Sequence, residues 1–225
     1  MNRLAAELHR LYPPPAAAGV RALLLEVAAP ADWTALGAVW RGVQAELGLP
    51  APAIAVSGTD GLQLWFSLQQ PVSPAVAADF LARLQARYLP GVPARRVRAR
   101  ADGGRPAVPA QDAASGNWSA FVAPDLAPVF VDTPWLDIEP GAEGQADLLA
   151  RLAPATAEAF TGALALLAPA VAPTAARAVT VTATDAPRDP GPHVDPRQFL
   201  QRVLDDEQAP LALRLDAAKA LLQHP

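Results

Sequence analysis

Few side chains in this chain combine a reactive type with a suggestive position. Glu26 is the one charge in the C-terminal half of an apolar run, Val20 to Val27. A carboxylate there is either a strand-end group, wet or paired with an arginine, or a ligand for a metal ion or nucleotide, because charge in apolar surroundings needs compensation. The stretch Ala53 to Leu68, AIAVSGTDGLQLWFSL, offers Ser57, Gly58 and Gly61 in turn chemistry, with Gln63 and Trp65 just after. An amide and an indole on one strand face can line a cleft; the alternative is that they sit under a helix or at the surface. Arg95, Arg96, Arg98, Arg100 and Arg105 crowd into a segment whose single acid is Asp102. On a strand, Arg96, Arg98 and Arg100 share a face that contacts phosphates or, equally, blocks edge-to-edge pairing. Asp112, Asp125, Asp132 and Asp137 stand beside Pro and Gly and read as turn and capping residues. No cysteine occurs, which excludes disulfides, thiolate metal sites and cysteine nucleophiles, and no metal cluster, nucleophile elbow or phosphate loop can be built.

The elements that must position these residues show in the hydrophobic pattern. Leu4, Leu8 and Leu11, with Ala5 and Tyr12, make a short amphipathic helix stopped by Pro13-Pro14-Pro15 and placed at the sheet edge or as a lid. Val20 to Val27 suits a central strand buried on both faces. Trp33, Leu36, Trp40, Val43 and Leu47 stripe a helix from Asp32 to Leu47, ended by Gly48, with both tryptophans in the core. Leu62, Leu64, Phe66 and Leu68 alternate with Gln63, Trp65 and Ser67 after the turn, so Ala53 to Leu68 is a hairpin. Ser73 then caps a helix with Pro74 at its first position and Val76, Phe80, Leu84 and Tyr88 buried. This order gives an α+β sheet with helices on one side and a right-handed crossover. Residues 103–140 are loop-rich, yet Trp118, Phe121, Val129, Phe130 and Trp135 require them to fold onto the body. Gln145 to Leu152 and Pro154 to Leu167 are two closing helices.

The hairpin resembles the Ser-Gly, Gly, hydrophobic, His motif of archaeo-eukaryotic primase-polymerases, with Gln63 where that family has its histidine. Upstream, RALLLEVAAPADW, a long helix and ELGLPAPAIAVSGTDGLQLWF are similar to the strand, helix and hairpin order of bacterial ligase-associated polymerase domains. The resemblance covers residues 20–90, with a looser continuation to 150. It implies a primase-polymerase-like sheet with packed helices and a cleft for nucleic acid or nucleotide. Ser57, Gly58, Gly61, Gln63 and Trp65 would shape that cleft, and Arg96, Arg98 and Arg100 would meet phosphates. In that family the first strand carries an Asp-x-Asp pair that holds divalent metal; here Glu26 alone remains, and its partner position falls on Leu24 or Ala28. Two-metal phosphoryl transfer needs carboxylates that hold two ions roughly 4 Å apart. The resemblance therefore implies a degenerate, non-catalytic protein without a cofactor. An active nucleotidyltransferase would need relocated acids and Mg²⁺ or Mn²⁺, with Glu26 as its remnant catalytic acid.

A hydrophobic content of 52% in 225 residues supports one domain of about 150 residues and an appendage. The expected division is a primase-polymerase-like domain at 1–167, an Ala/Pro-rich linker at 168–194 and a helical hairpin at 195–225. Phe199, Leu200, Val203 and Leu204 stripe the first helix of that hairpin and Leu211, Leu215, Ala218 and Leu222 the second. Its sequence is similar to a segment of small phage-terminase-like proteins, which implies self-association or a protein partner; packing on the main body is the alternative. A net charge of −4 argues against adhesion to nucleic acid by the whole chain, so any such surface must be local. The N-terminus lacks an apolar leader core and no apolar run reaches the ~18 residues of a membrane span, so the cytoplasm is expected and a membrane partner is not. Arginine over lysine, Lys219 being the only lysine, with many prolines, fits a high-GC bacterial genome. The functional expectation is binding of nucleic acid or nucleotide in DNA replication or repair; the alternative is an interaction module.

Overall fold

The computed structural model describes residues 2–16, 19–102 and 106–168. The expected linker beyond Ala168, the helical hairpin at 195–225 and Arg105 lie outside the described residues. Strand β1, Val20–Ala28, is buried along nearly all its length, as a continuous apolar run demands. The expected hairpin follows as β2, Ala53–Val56, and β3, Gly61–Val72. With β4, Val97–Arg100, β5, Ala110–Gln111, and β6, Trp118–Val122, the sheet runs β4-β1-β3-β2-β6-β5. All neighbours are antiparallel and the sheet curls into a half-barrel. Because β3 lies between them, β1 and β2 run in the same direction, and helix α2, Trp33–Ala45, makes the crossover. Strand β6 arises inside the segment that reads as loop. Its short Trp-Ser-Ala-Phe-Val run has a weak pattern, and pairing with β2 settles it.

Helices cover both faces of the sheet, not the single face expected from their order. On one face α2, α3 (Pro74–Tyr88) and α5 (Ala157–Leu166) pack Leu36, Val43, Phe80, Leu84 and Phe160 on Leu23, Leu25, Leu62, Leu64 and Phe66. On the other, α1 (Arg3–Leu11) and α4 (Ala142–Ala150) bring Leu11, Tyr12 and Leu149 onto Leu24, Trp65 and Phe121. The side-chain period of two explains this: strands apolar on both sides need two covers. Between α4 and α5 the chain passes from one face to the other beyond the end of β2. There Ala155 N–H donates to Ser67 O and Ala155 O accepts from Gln69 N–H, both at 2.8 Å. The first helix is a cover, not an edge element: Arg10 donates to Leu149 O in the last turn of α4 at 3.0 Å and to Leu152 O just beyond that helix at 3.1 Å.

The expected Ser73 cap forms, accepting from Val76 N–H at 3.3 Å, and Asp32, read as the first residue of its helix, is instead the cap of α2, accepting from Ala35 N–H at 3.0 Å. The buried stripe of α3 is Ala77, Phe80, Leu81 and Leu84, which leaves Val76 exposed and Tyr88 half-buried. The stripe keeps the i, i+3, i+4, i+7 spacing but is rotated by one residue from the Val76 face. Trp33 and Trp40 are half-buried at the rim of the core, and Val129 is exposed. Among the described residues no helix is long and apolar enough to cross a membrane.

Candidate functional site

Cross-strand register assembles the polar row that sequence spacing cannot show. Arg98 on β4 lies opposite Glu26 on β1, and Glu26 lies opposite Gln63 on β3. Alternation puts all three on the second face, one row from Leu24 and Trp65. The guanidinium of Arg98 joins two carboxylates: Nη1 donates to Glu26 Oε1 at 3.1 Å and to Asp60 Oδ1 at 3.0 Å, and Nη2 donates to Asp60 Oδ2 at 3.0 Å. Behind Glu26, Gln63 Nε2 points at Oε2 across a long 3.5 Å, and Trp65 Nε1–H donates to Gln63 Oε1 at 2.9 Å. A line of hydrogen bonds thus runs from a buried indole to a half-exposed guanidinium.

The turn holds Asp60 in place. Ser57 Oγ accepts from the N–H groups of Thr59, Asp60 and Gly61 at 3.2, 3.1 and 2.9 Å, and Ser57 N–H donates to Gly61 O at 2.9 Å. Gly58 adopts φ +83° and approaches β6 so closely that a Cβ would meet Ser119 N at 2.9 Å. Gly61 lies on the Glu26 carboxylate, and a Cβ there would come within 2.5 Å of Oε1 and 2.9 Å of Ala28 Cβ. Gly61→Ala must therefore push Glu26 from its place and is expected to cost about 1–3 kcal/mol, read as a lower urea midpoint. An unchanged midpoint would mean that the carboxylate has room to move.

Burial pushes the Glu26 carboxyl above its ordinary value, with Arg98 opposing; burial wins because the carboxylate is almost wholly removed from water. The Arg98 hydrogen bond holds the Asp60 carboxyl below its ordinary value. On β1 the face neighbours of Glu26 are Leu24 and Ala28, both buried and apolar, so no acid pair exists on that strand. Among the described residues no group of three or more His, Asp or Glu is placed to hold a metal ion. Between Glu26 and Asp60 the cation is Arg98 itself.

The other expected site residues divide. Arg96 is not on the strand: Pro93 opens a 3-10 turn, Ala94–Arg96, and the guanidinium donates to Pro30 O at 2.7 Å and Ala28 O at 3.4 Å. The expected common face of Arg96, Arg98 and Arg100 is thus reduced to the last two. Arg100 lies opposite Leu24 and is exposed, as is Arg95. Trp65 sits under the first helix, 2% exposed, edge-on to Tyr12 at 5.3 Å and Phe121 at 5.6 Å. Asp112 accepts from Ser115 N–H at 2.8 Å and Ser115 Oγ at 2.7 Å, the turn role read for it. Asp60 escaped notice as a partner of Arg98, since its sequence signal is only that of a turn residue. Gln145 also escaped: it accepts from Phe121 N–H at 2.7 Å and donates to Phe121 O at 2.9 Å, satisfying β6 on the side that β5 does not reach.

No protein-family model, no curated protein and no solved structure matches this chain.

Proposed function

We propose that the domain is a non-catalytic binder of nucleic acid or nucleotide, built on a primase-polymerase-like hairpin whose acidic corner is closed by an arginine. The observation that carries this reading is the Arg98 guanidinium between Glu26 and Asp60. It neutralises one of two negative charges at the place a divalent ion would have to enter, and two-metal chemistry would require its displacement. Phosphate contact falls to Arg95 and Arg100 because both are exposed at the β4 edge, where a backbone phosphate can reach them.

Purified protein is expected to show no template-dependent nucleotide incorporation with Mg²⁺ or Mn²⁺; incorporation that disappears in Glu26→Gln would overturn the non-catalytic reading. Binding of a fluorescent single-stranded oligonucleotide should weaken steeply with salt. Replacing Arg95 and Arg100 by Gln should reduce the slope of log K against log salt by about 1–2. Replacing Arg98 is the wrong test, since that residue also holds Glu26. Absence of oligonucleotide binding at low ionic strength would reject the proposal. A second reading, an interaction module, is favoured by Leu126, Val129 and Ile138, which are 50%, 68% and 76% exposed. Concentration-dependent association in the same protein, abolished by Val129→Ser with Ile138→Ser, would support it.

A further inference from the structure

We propose that the outer face of residues 126–139 docks a segment of another protein that carries apolar side chains among lysines and arginines. The inference rests on the second reading above, the interaction module, and names its partner class. A 3-10 turn, Ala127–Phe130, follows β6, and the chain then returns beside that strand. There Trp118 N–H donates to Leu136 O at 2.8 Å, Leu136 N–H donates to Trp118 O at 3.0 Å, and Gly58 N–H donates to Pro134 O at 3.0 Å. Phe130, Val131 and Leu136 turn inward and pack on the core of the first face. The outer face is left to Leu126, Val129 and Ile138 with Asp132, Asp137 and Glu139, all exposed. Backbone bonds hold this layer to β6 and to the hairpin turn, so the face is formed before any partner arrives.

Val129 and Ile138 are the two most exposed large apolar side chains among the described residues, and Leu126 stands one turn before Val129. Apolar side chains gathered on one short segment mark a contact surface more than the same residues scattered singly. The charges choose the partner. Asp132, Asp137 and Glu139 make no ion pair with any described residue, and no Lys, Arg or His occurs between Arg105 and Arg151. Carboxylates set among the apolar groups repel nucleic acid and anionic lipid. Two copies of this chain meeting face to face would likewise place like charges opposite each other. A foreign segment with basic and apolar residues answers both components of the surface.

The test uses the full chain and short synthetic peptides: one of Leu and Lys, one with Glu in place of each Lys, and one with Ser in place of each Leu. Fluorescence anisotropy should show saturable binding of the Leu-Lys peptide, at least about tenfold tighter than either control. Asp132→Asn with Asp137→Asn should weaken it about fivefold, the scale of two exposed ion pairs. Val129→Ser with Ile138→Ser should weaken it about tenfold, and the exposure of both residues leaves the fold intact. Asp79→Asn with Glu158→Gln changes the net charge equally on α3 and α5 and should leave binding unchanged. Equal binding of the Leu-Lys peptide and either control, full affinity in either patch variant, or an equal loss in the α3 and α5 variant would overturn the proposal. Sedimentation of the same samples separates the partner from the module. Self-association abolished by Val129→Ser with Ile138→Ser, without peptide selectivity, would overturn this partner and keep the module; a monomer that binds no peptide would end both.

Discussion

Arg98→Met should lower stability by about 2 kcal/mol near neutral pH, and Glu26→Gln in the same chain should restore most of the loss. Removing one partner of a fully buried pair costs about 3–5 kcal/mol, whereas exposed pairs contribute at most about 1 kcal/mol. This pair lies between those limits, because Glu26 is 5% exposed at its side chain and Arg98 46%. Methionine keeps the aliphatic stem and removes the guanidinium, with its charge and its hydrogen bonds to Glu26 and Asp60. What remains is a carboxylate held in the interior with one long amide contact, from Gln63 at 3.5 Å. Urea unfolding of the two single variants and the double variant closes the cycle. If Arg98→Met and the double variant are equally destabilised, the loss belongs to Asp60 or to packing, and the role given to Glu26 fails.

The same experiment has a defined pH dependence. The Glu26 carboxyl is raised in the folded state, so the native protein holds that proton more tightly than the unfolded chain. Stability is therefore lost as pH rises from the ordinary glutamate value, about 4.3, through the higher folded value. Without Arg98 burial acts unopposed, and this loss is larger. Asp60 works in the opposite sense: its folded value is depressed, and its contribution is present above about 3.9 and lost as pH falls through the folded value. Wild type and Arg98→Met should accordingly converge as pH is lowered toward 4. A gap that stays constant from pH 7 to pH 4 would contradict the assignment.

Trp65→Ala should cost about 4 kcal/mol, the largest single loss expected on the second face. The side chain is 2% exposed, meets Tyr12 and Phe121 edge-on, and donates its only polar hydrogen to Gln63. Alanine leaves a cavity among Leu11, Leu24 and Leu149 and strands the Gln63 amide oxygen without its donor. Trp65→Phe keeps most of the apolar volume and separates the two roles first weighed for this residue. As a core residue it should lose about 1–2 kcal/mol with oligonucleotide affinity unchanged. A stable Trp65→Phe protein with sharply weaker oligonucleotide binding would instead make Trp65 a stacking surface.

Local chemistry determined much of this fold. Ser73 before Pro74, Asp32 before Trp33 and the Ser57 to Gly61 turn specify their elements because caps and turns are satisfied by residues within four positions of each other. Val20 to Val27 likewise announces a strand buried on both sides, since Ala22 to Leu25 are all apolar and only Arg21, at its start, is polar before Glu26. The tertiary structure alone decided which polar residues meet. Glu26, Asp60, Gln63 and Arg98 span more than seventy positions and come together through the registers of β1 with β3 and β4, which no single-chain periodicity encodes. The opposite placement of α4 and α5 was hidden for a similar reason. Each helix carries an ordinary apolar stripe, and the side of the sheet it covers follows from the crossing at Ala155, a matter of backbone bonds to Ser67 and Gln69 and not of side-chain type. Arg96 and Arg98, two residues apart and alike in the sequence, parted because Pro93 starts a turn that ends where β4 begins: one guanidinium caps carbonyls, and the other bridges carboxylates.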